Sequence, residues 1–177
     1  MAWKSRGLRG SVFEDLINRS NEVYLEQGLA LIQKIPTPIT PIRMDKESRH
    51  ITLAYFEQKS TVDYIGVVQG IAVCFDAKEC ATDTFALQNV HAHQMEFMRQ
   101  FERQDGLAFF LIYYTSRDEI YYVPFADMER FWQRMENGGR KSFRFEEIDQ
   151  SFRLQSKSGV LVPFLEGVKR DLMLRDE

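Results

Sequence analysis

Cysteine is almost missing from this chain. Cys74 and Cys80 are the only two in 177 residues, and no further Cys or His stands at the spacing of a zinc site. The pair reads as reduced thiols in a cytoplasmic protein. No run approaches the roughly 18 apolar residues of a membrane span. The segment from Met1 to Arg6 is basic but has no apolar stretch behind it, so a secretory signal is not expected. Positive charge is not in excess: 23 Lys and Arg stand against 26 Asp and Glu, for a net charge of −3. That balance argues against a surface coated in phosphate-binding charge. Internal repeats and low-complexity tracts are also lacking. What remains, 44% hydrophobic, 13% aromatic and 28% charged, is the composition of one folded domain over 1–177 with a real core.

Charge is local rather than global. Lys4, Arg6 and Arg9 make a basic amino end, expected to be flexible over about 1–10, and Arg134, Arg140, Lys141 and Arg144 form a second group. Such clusters are ordinarily solvated surface.

Ser11 and Glu14 fit a capping box. Phe13, Leu16, Ile17 and Tyr24 follow at helical spacing, with Gly28 as the stop. Leu29 to Ile32 reads as a short buried strand. Pro36, Pro38 and Pro41 then forbid helix and disfavour a central strand. The stretch 36–56, with Arg43, Lys46, Arg49 and His50 among apolar residues, reads as an arm leaving the core. Two β-branched and aromatic runs flank Gln69-Gly70, a hairpin signal. Phe85 to Gln104 reads as a long helix closed by Asp105-Gly106, Leu107 to Tyr114 as an apolar strand and Ile120 to Phe125 as another. Ala126 to Met135 reads as helix before Asn137-Gly138-Gly139. The order predicts an α/β fold, a mixed central β-sheet flanked by helices.

Strand geometry singles out one patch. With Gln69 and Gly70 as the turn, Val68 faces Ile71, and counting outward brings Asp63 opposite Asp76 and Thr61 opposite Lys78. Directly opposed side chains lie roughly 5 Å apart, and the period of two keeps each strand's pair on one face. Two carboxylates that close repel unless a positive charge sits between them. An all-oxygen site for Mg²⁺, or Mn²⁺ in its place, answers that need. It would polarise a phosphate oxygen and acidify a water for in-line displacement, with Lys78 orienting that water or offsetting charge. The plainer alternative is an Asp–Lys ion pair on a solvated sheet face.

Leu87, Val90, Phe97 and Phe101 mark the apolar stripe of the following helix, and Gln94 falls inside it, either as an oxygen ligand or bonded to a backbone group. His91 and His93, two apart on a helix, should point different ways and make a poor zinc pair. Glu14 reads first as the capping-box acid.

An Asp followed a dozen residues later by Asp-x-Lys at a strand end resembles the PD-(D/E)xK nuclease superfamily. The surrounding words narrow the likeness: Lys34-Ile35-Pro36-Thr37-Pro38, Ala54-Tyr55-Phe56, Ser60 to Gly66, Phe75-Asp76-Ala77-Lys78-Glu79, Leu87 to Gln94, Gln104-Asp105-Gly106 and Gly139-Arg140-Lys141-Ser142. Together they resemble RecU, the Holliday junction resolvases of Gram-positive bacteria, from about Arg6 to beyond Ser142 and more weakly after about Phe152. The resemblance implies a homodimer of restriction-endonuclease-like fold that nicks four-way junctions in pairs with Mg²⁺, during recombination and repair. The arm at about 36–56 then becomes a stalk entering the junction. It implies metal ligands at Thr61, Asp63, Asp76 and Gln94, a catalytic Lys78, and Glu14 as an accessory acid. DNA contacts are expected at Arg6, Arg9, Arg43, Lys46, Arg49, Arg140 and Lys141, and recombination proteins as partners. Two departures stand out: position 76 is Asp where RecU proteins commonly carry Glu, and the arm is shorter.

Two rival readings remain: a DNA-binding or recombinase-modulating module with dispensable cleavage, and a duplex-specific restriction-type nuclease. Asp63, Asp76 and Lys78 together speak against the first, and the Pro-rich arm against the second.

Overall fold

Helix α1, Val12–Glu26, ends where Gly28 takes φ +67°, a left-handed conformation that glycine adopts without a Cβ penalty. The computed structural model describes residues 12–56 and 61–175, so the Ser11 half of the expected capping box, and Arg6 and Arg9, lie outside the described residues. Strand β1, Ala30–Lys34, follows. It was expected to be buried, but only Ala30 is, because β1 lies at the edge of the sheet. The arm is a ribbon of β2, Ile39–Met44, and β3, Ile51–Phe56, paired antiparallel in a sheet of their own.

Strands β4, Tyr64–Val68, and β5, Ile71–Cys80, form the expected hairpin, with Val68 paired to Ile71 and Tyr64 to Phe75. Gln69 and Gly70 both take positive φ, 51° and 90°, as a two-residue hairpin turn requires. The region expected to form one helix from Phe85 to Gln104 divides. Thr84–Ala86 is β6, Leu87–Asn89 a single 3₁₀ turn, and only Ala92–Glu102 is α-helix, α2. Phe85, Leu87 and Val90 are buried, but from extended and turn backbone rather than from a helical stripe. Within α2 the buried positions are Gln94, Met95 and Met98, with Phe97 and Phe101 only half-buried.

Strand β7, Leu107–Tyr114, runs parallel to β5, and β8, Glu119–Pro124, returns antiparallel. Helix α3, Phe125–Glu136, stops before Gly138 at φ +82°. Strand β9, Ser142–Arg144, pairs with β6, where Phe85 and Phe143 stack at 4.9 Å. The last elements, β10, Arg153–Leu154, and α4, Phe164–Arg175, had no counterpart in the sequence reading. The main sheet runs β1-β4-β5-β7-β8-β10, mixed because of the single parallel step from β5 to β7. A parallel step needs a crossover, and the segment carrying α2 supplies it. Among the described residues no helix is long and apolar enough to cross a membrane.

Two apolar layers cover the sheet. One face meets α1 and α4 through Phe13, Ile17, Phe164 and Val168, and the other meets α2 and α3 through Met95, Met98, Met128 and Phe131. Across the first face runs a ladder of stacked rings: Tyr64 on Phe75 at 4.7 Å, Phe75 on Phe109 at 4.7 Å and Phe109 on Tyr122 at 4.4 Å. Each stacked pair contributes about 1 kcal/mol beyond its burial. Because a one-residue slip would turn these rings to the wrong face, the ladder pins the register of β4 against β5. Register at Tyr64 and Phe75 in turn decides what meets one residue further along.

Candidate active site

That next position holds Asp63 and Asp76. The ladder between β4 and β5 ends at Tyr64 and Phe75, and beyond it carboxylates take over from carbonyls. The Asp63 N–H donates to Asp76 Oδ1 at 2.8 Å, and the Ala77 N–H donates to Asp63 Oδ2 at 2.9 Å. Each acid thus satisfies a backbone donor on or beside the other. The Asp63 carbonyl is held separately by the Ile35 N–H at 2.8 Å, which ties the site to the end of β1. Both acids lie on the α2 side of the sheet, since Cys74 and Cys80, at the same strand parity as Asp76, pack into that layer.

Lys78 shares the parity of Asp76, and its ammonium lies 3.0 Å from Asp76 Oδ2. Among the described residues that oxygen, fully buried, meets no other donor. The Lys78 side chain is 17% exposed, so the charge stands between the buried acid and the outside. Burial, and then the Asp76 charge, push the Asp63 carboxyl up to about 6, against the Ala77 N–H and Lys78, which hold it down. Burial raises Asp76 as well, opposed by Lys78. One ammonium does not neutralise two carboxylates, an imbalance that a bound cation or a shared proton would relieve.

The donors fit a hard divalent cation: two carboxylates fixed by backbone hydrogen bonds, with oxygen rather than sulfur or imidazole to offer. Among the described residues no group of three or more His, Cys, Asp or Glu converges on one point. A cation between Asp63 and Asp76 would therefore complete its shell from hydroxyl or amide oxygen, or from water. Thr61 is exposed just ahead of buried Val62. Gln94 is 5% exposed, and its side-chain carbonyl accepts the His91 N–H at 3.1 Å, which is the backbone-bonded alternative raised by the sequence. That bond uses one of the two lone pairs of the oxygen. His91 caps α2 instead of lying within it, so the rings of His91 and His93 do not diverge as expected but stack at 5.4 Å, 7° from parallel.

Glu14 ion-pairs with Lys34, which sits across from Tyr64 in the β1–β4 register, and its charge adds to the upward push on Asp63. The Tyr64 hydroxyl donates to Asn18 Oδ1 at 3.0 Å, a second tie from α1 to the strand carrying the site. Neither Lys34 nor Asn18 was singled out from the sequence as part of the site. Lys34 carried a signal in the Lys34-Ile35-Pro36 word, but the link to Glu14 spans twenty residues and has no local signature.

The basic residues divide. Arg43, Lys46 and Arg49 are exposed on the β2–β3 ribbon and its turn. Arg134 ion-pairs with Glu147 and donates to the Ser142 carbonyl, and Arg140 lies 3.7 Å from Glu147, so part of the second cluster is structural. Lys141 is exposed.

Known proteins match this chain closely in sequence. The RecU family, described as Recombination protein U, matches residues 8–170, a range that reaches into α4. A protein of Pediococcus pentosaceus named Holliday junction resolvase RecU is 39% identical over 171 residues, covering 93% of this chain and 84% of that one. Proteins of the same name from Staphylococcus epidermidis and Bacillus cytotoxicus are each 40% identical, over 162 and 154 residues, covering 89% and 85% of this chain and 74% and 77% of theirs. Among solved structures, Hjc of Archaeoglobus fulgidus, a Holliday junction resolvase, overlaps 81% of this chain and 90% of its own at a TM-score of 0.47 and 14% identity.

Proposed function

The chain belongs to the RecU family, and from that premise we propose that it is a divalent-metal-dependent endodeoxyribonuclease that resolves four-way DNA junctions by paired nicks. The observation that carries this reading is the pair Asp63 and Asp76, half-buried and fully buried side by side, with Lys78 the ammonium beside them among the described residues. Junction resolution is the named activity of relatives matched over most of their length.

Asp63 and Asp76 would hold the cation, Mg²⁺ or Mn²⁺, with Gln94 and Thr61 completing the oxygen set. When bound, the cation supplies Lewis-acid polarisation of a phosphate oxygen and an acidified water. Lys78 orients the attacking water or offsets charge gathering on the phosphate, and its partial burial strengthens that effect. The backbone bonds from Asp63 and Ala77 keep the carboxylates in place without reorganisation. Glu14, held by Lys34, is an accessory acid at the edge of the site.

DNA is engaged by phosphate contacts from Arg43, Lys46 and Arg49 on the projecting ribbon, together with Arg6, Arg9, Arg140 and Lys141. The ribbon acts as the stalk at the crossover. The exposure of Arg43, Lys46 and Arg49 supports this assignment. Paired nicks need two sites, so the working form is a homodimer in the cytoplasm, where recombination proteins are its partners.

The test is cleavage of synthetic four-way junctions beside matched linear duplex, with Mg²⁺ or with EDTA, by the native chain and by Lys78→Ala and Asp63→Ala. Junction-selective, EDTA-sensitive nicking lost in both variants is expected. Equal cutting of duplex and junction would return the chain to a restriction-type nuclease. Native cutting by both variants would remove the site.

A further inference from the structure

Away from the acids, at the far edge of the sheet, α4 and β10 enclose a groove of 560 Å³, within the size range of a ligand site. Its floor is apolar: Leu154, Pro163 and Gly167 are buried beneath it. Gly167 lets α4 lie directly on Tyr122, since a Cβ there would stand 2.5 Å from the ring. At one end Met173 and Leu174 line the groove while 60% and 49% exposed, adjacent apolar side chains that extend the floor outward.

The walls are cationic. Arg153 and Lys157 already have carboxylates, Glu119 at 2.9 Å and Glu166 at 3.5 Å. Lys169 and Arg170 have none within ion-pair distance among the described residues; the Arg170 charge helps to hold the Asp149 carboxyl down from further off, and its guanidinium lies over the Phe152 ring at 5.5 Å. Among the described residues the two-residue strand β10 pairs with β8 alone, so its other edge is open. An open strand edge, an apolar floor and two cations outside any ion pair together describe a receptor for an extended chain.

We propose that the groove between α4 and β10 docks an acidic peptide segment of a partner protein, one that presents a large apolar side chain. The carboxylates of that segment would meet Lys169 and Arg170, and its apolar side chain would cover Leu154 and Met173. DNA fits the charge but not the shape: a concave groove with an apolar floor offers a phosphate backbone little, whereas an acidic peptide matches both features. Charge complementarity here sets specificity and encounter rate, and the apolar contact holds the complex.

The probe is a short fluorescein-labelled peptide of Asp and Glu with one central Phe, titrated into the full chain and followed by anisotropy. Binding is expected with a Kd on the order of 10 μM at low salt. It should weaken about tenfold or more in the Lys169→Glu, Arg170→Glu double variant, and when the Phe of the peptide is replaced by Ser. The methyl resonance of Met173 should shift on binding, and a thermal melt checks that the double variant is folded. Junction binding and nicking by that variant should match the native chain. The proposal is overturned if no saturable binding occurs up to about 1 mM peptide, or if charge reversal leaves the affinity unchanged. It is also overturned if junction affinity falls by the same factor as peptide affinity, which would make the groove a nucleic-acid surface.

Discussion

Asp63 and Asp76 are held by each other's strands: the Asp63 N–H bonds to the Asp76 carboxylate at 2.8 Å, and the Asp63 carboxylate takes the N–H of Ala77, the residue after Asp76, at 2.9 Å. The arrangement orients two acids rigidly while leaving their charges in conflict, because burial raises both carboxyls. If the pair holds the proposed cation, function and stability oppose one another there, and the opposition can be measured.

Asp63→Asn removes one charge and keeps an oxygen to accept the Ala77 N–H. The metal-free variant should melt at a higher temperature than the native chain at pH 8. Junction nicking should drop by at least about 100-fold, since the variant lacks a carboxylate that the proposed function assigns to the cation. A lower melting temperature would mean that the acid stabilises the fold, contrary to the balance of charges described here.

The same residue sets a pH dependence. In the folded, metal-free chain the Asp63 carboxyl titrates at about 6, above its ordinary 3.8, so folding favours the proton. Its contribution to stability is complete below about pH 4 and is lost as pH rises through 6. The difference corresponds to about 3 kcal/mol at most. Chemical denaturation in EDTA should show stability falling across this window, and Asp63→Asn should flatten the fall. Mg²⁺ should restore stability above pH 6 by binding the folded form alone.

Lys78→Ala leaves Asp76 Oδ2 buried with no ion-pair partner among the described residues. Nicking is expected to fall by about 10²–10³, while junction affinity, measured by gel shift in Ca²⁺, stays within about twofold. A matching loss of affinity would place Lys78 in binding instead of chemistry. Lys78→Arg keeps the charge but changes its shape, and should recover only part of the rate.

Gly66→Ala tests the strand that ties α1 to the site. A Cβ at position 66 would stand 2.1 Å from the Leu31 carbonyl oxygen and 2.8 Å from Ile32 Cα, both of them backbone atoms that cannot swing aside. Strand β1 would have to part from β4, at a cost of about 1–3 kcal/mol, readable as a lowered urea midpoint. An unchanged midpoint would show that the contact between β1 and β4 is looser than described.

Local signals were enough wherever neighbours in sequence are neighbours in space. Gln69-Gly70 specifies a two-residue turn, and from that turn the meeting of Asp63 with Asp76 follows by counting, as does the shared face of Asp76 and Lys78. The apolar run Leu107 to Tyr114 and the stop at Gly28 were readable for the same reason. The sequence likeness added the oxygen set and the choice of a junction as substrate, which strand geometry cannot supply.

What tertiary structure decided was each case in which a distant partner outweighs a local preference. Phe85 looks helical by spacing, yet Phe143 draws it into a strand, and the helix begins seven residues later at Ala92. The run Leu29 to Ile32 looks buried by composition, but only the place of β1 at the sheet edge settles its exposure. The groove at α4 and β10 has no signature in the chain at all, because its floor and walls come together only when the last helix folds back onto Tyr122. The sequence by itself determined which two acids and which lysine meet, through a two-residue turn and a period of two. Only the packed sheet decided how buried they are, and with that how strongly their charges conflict.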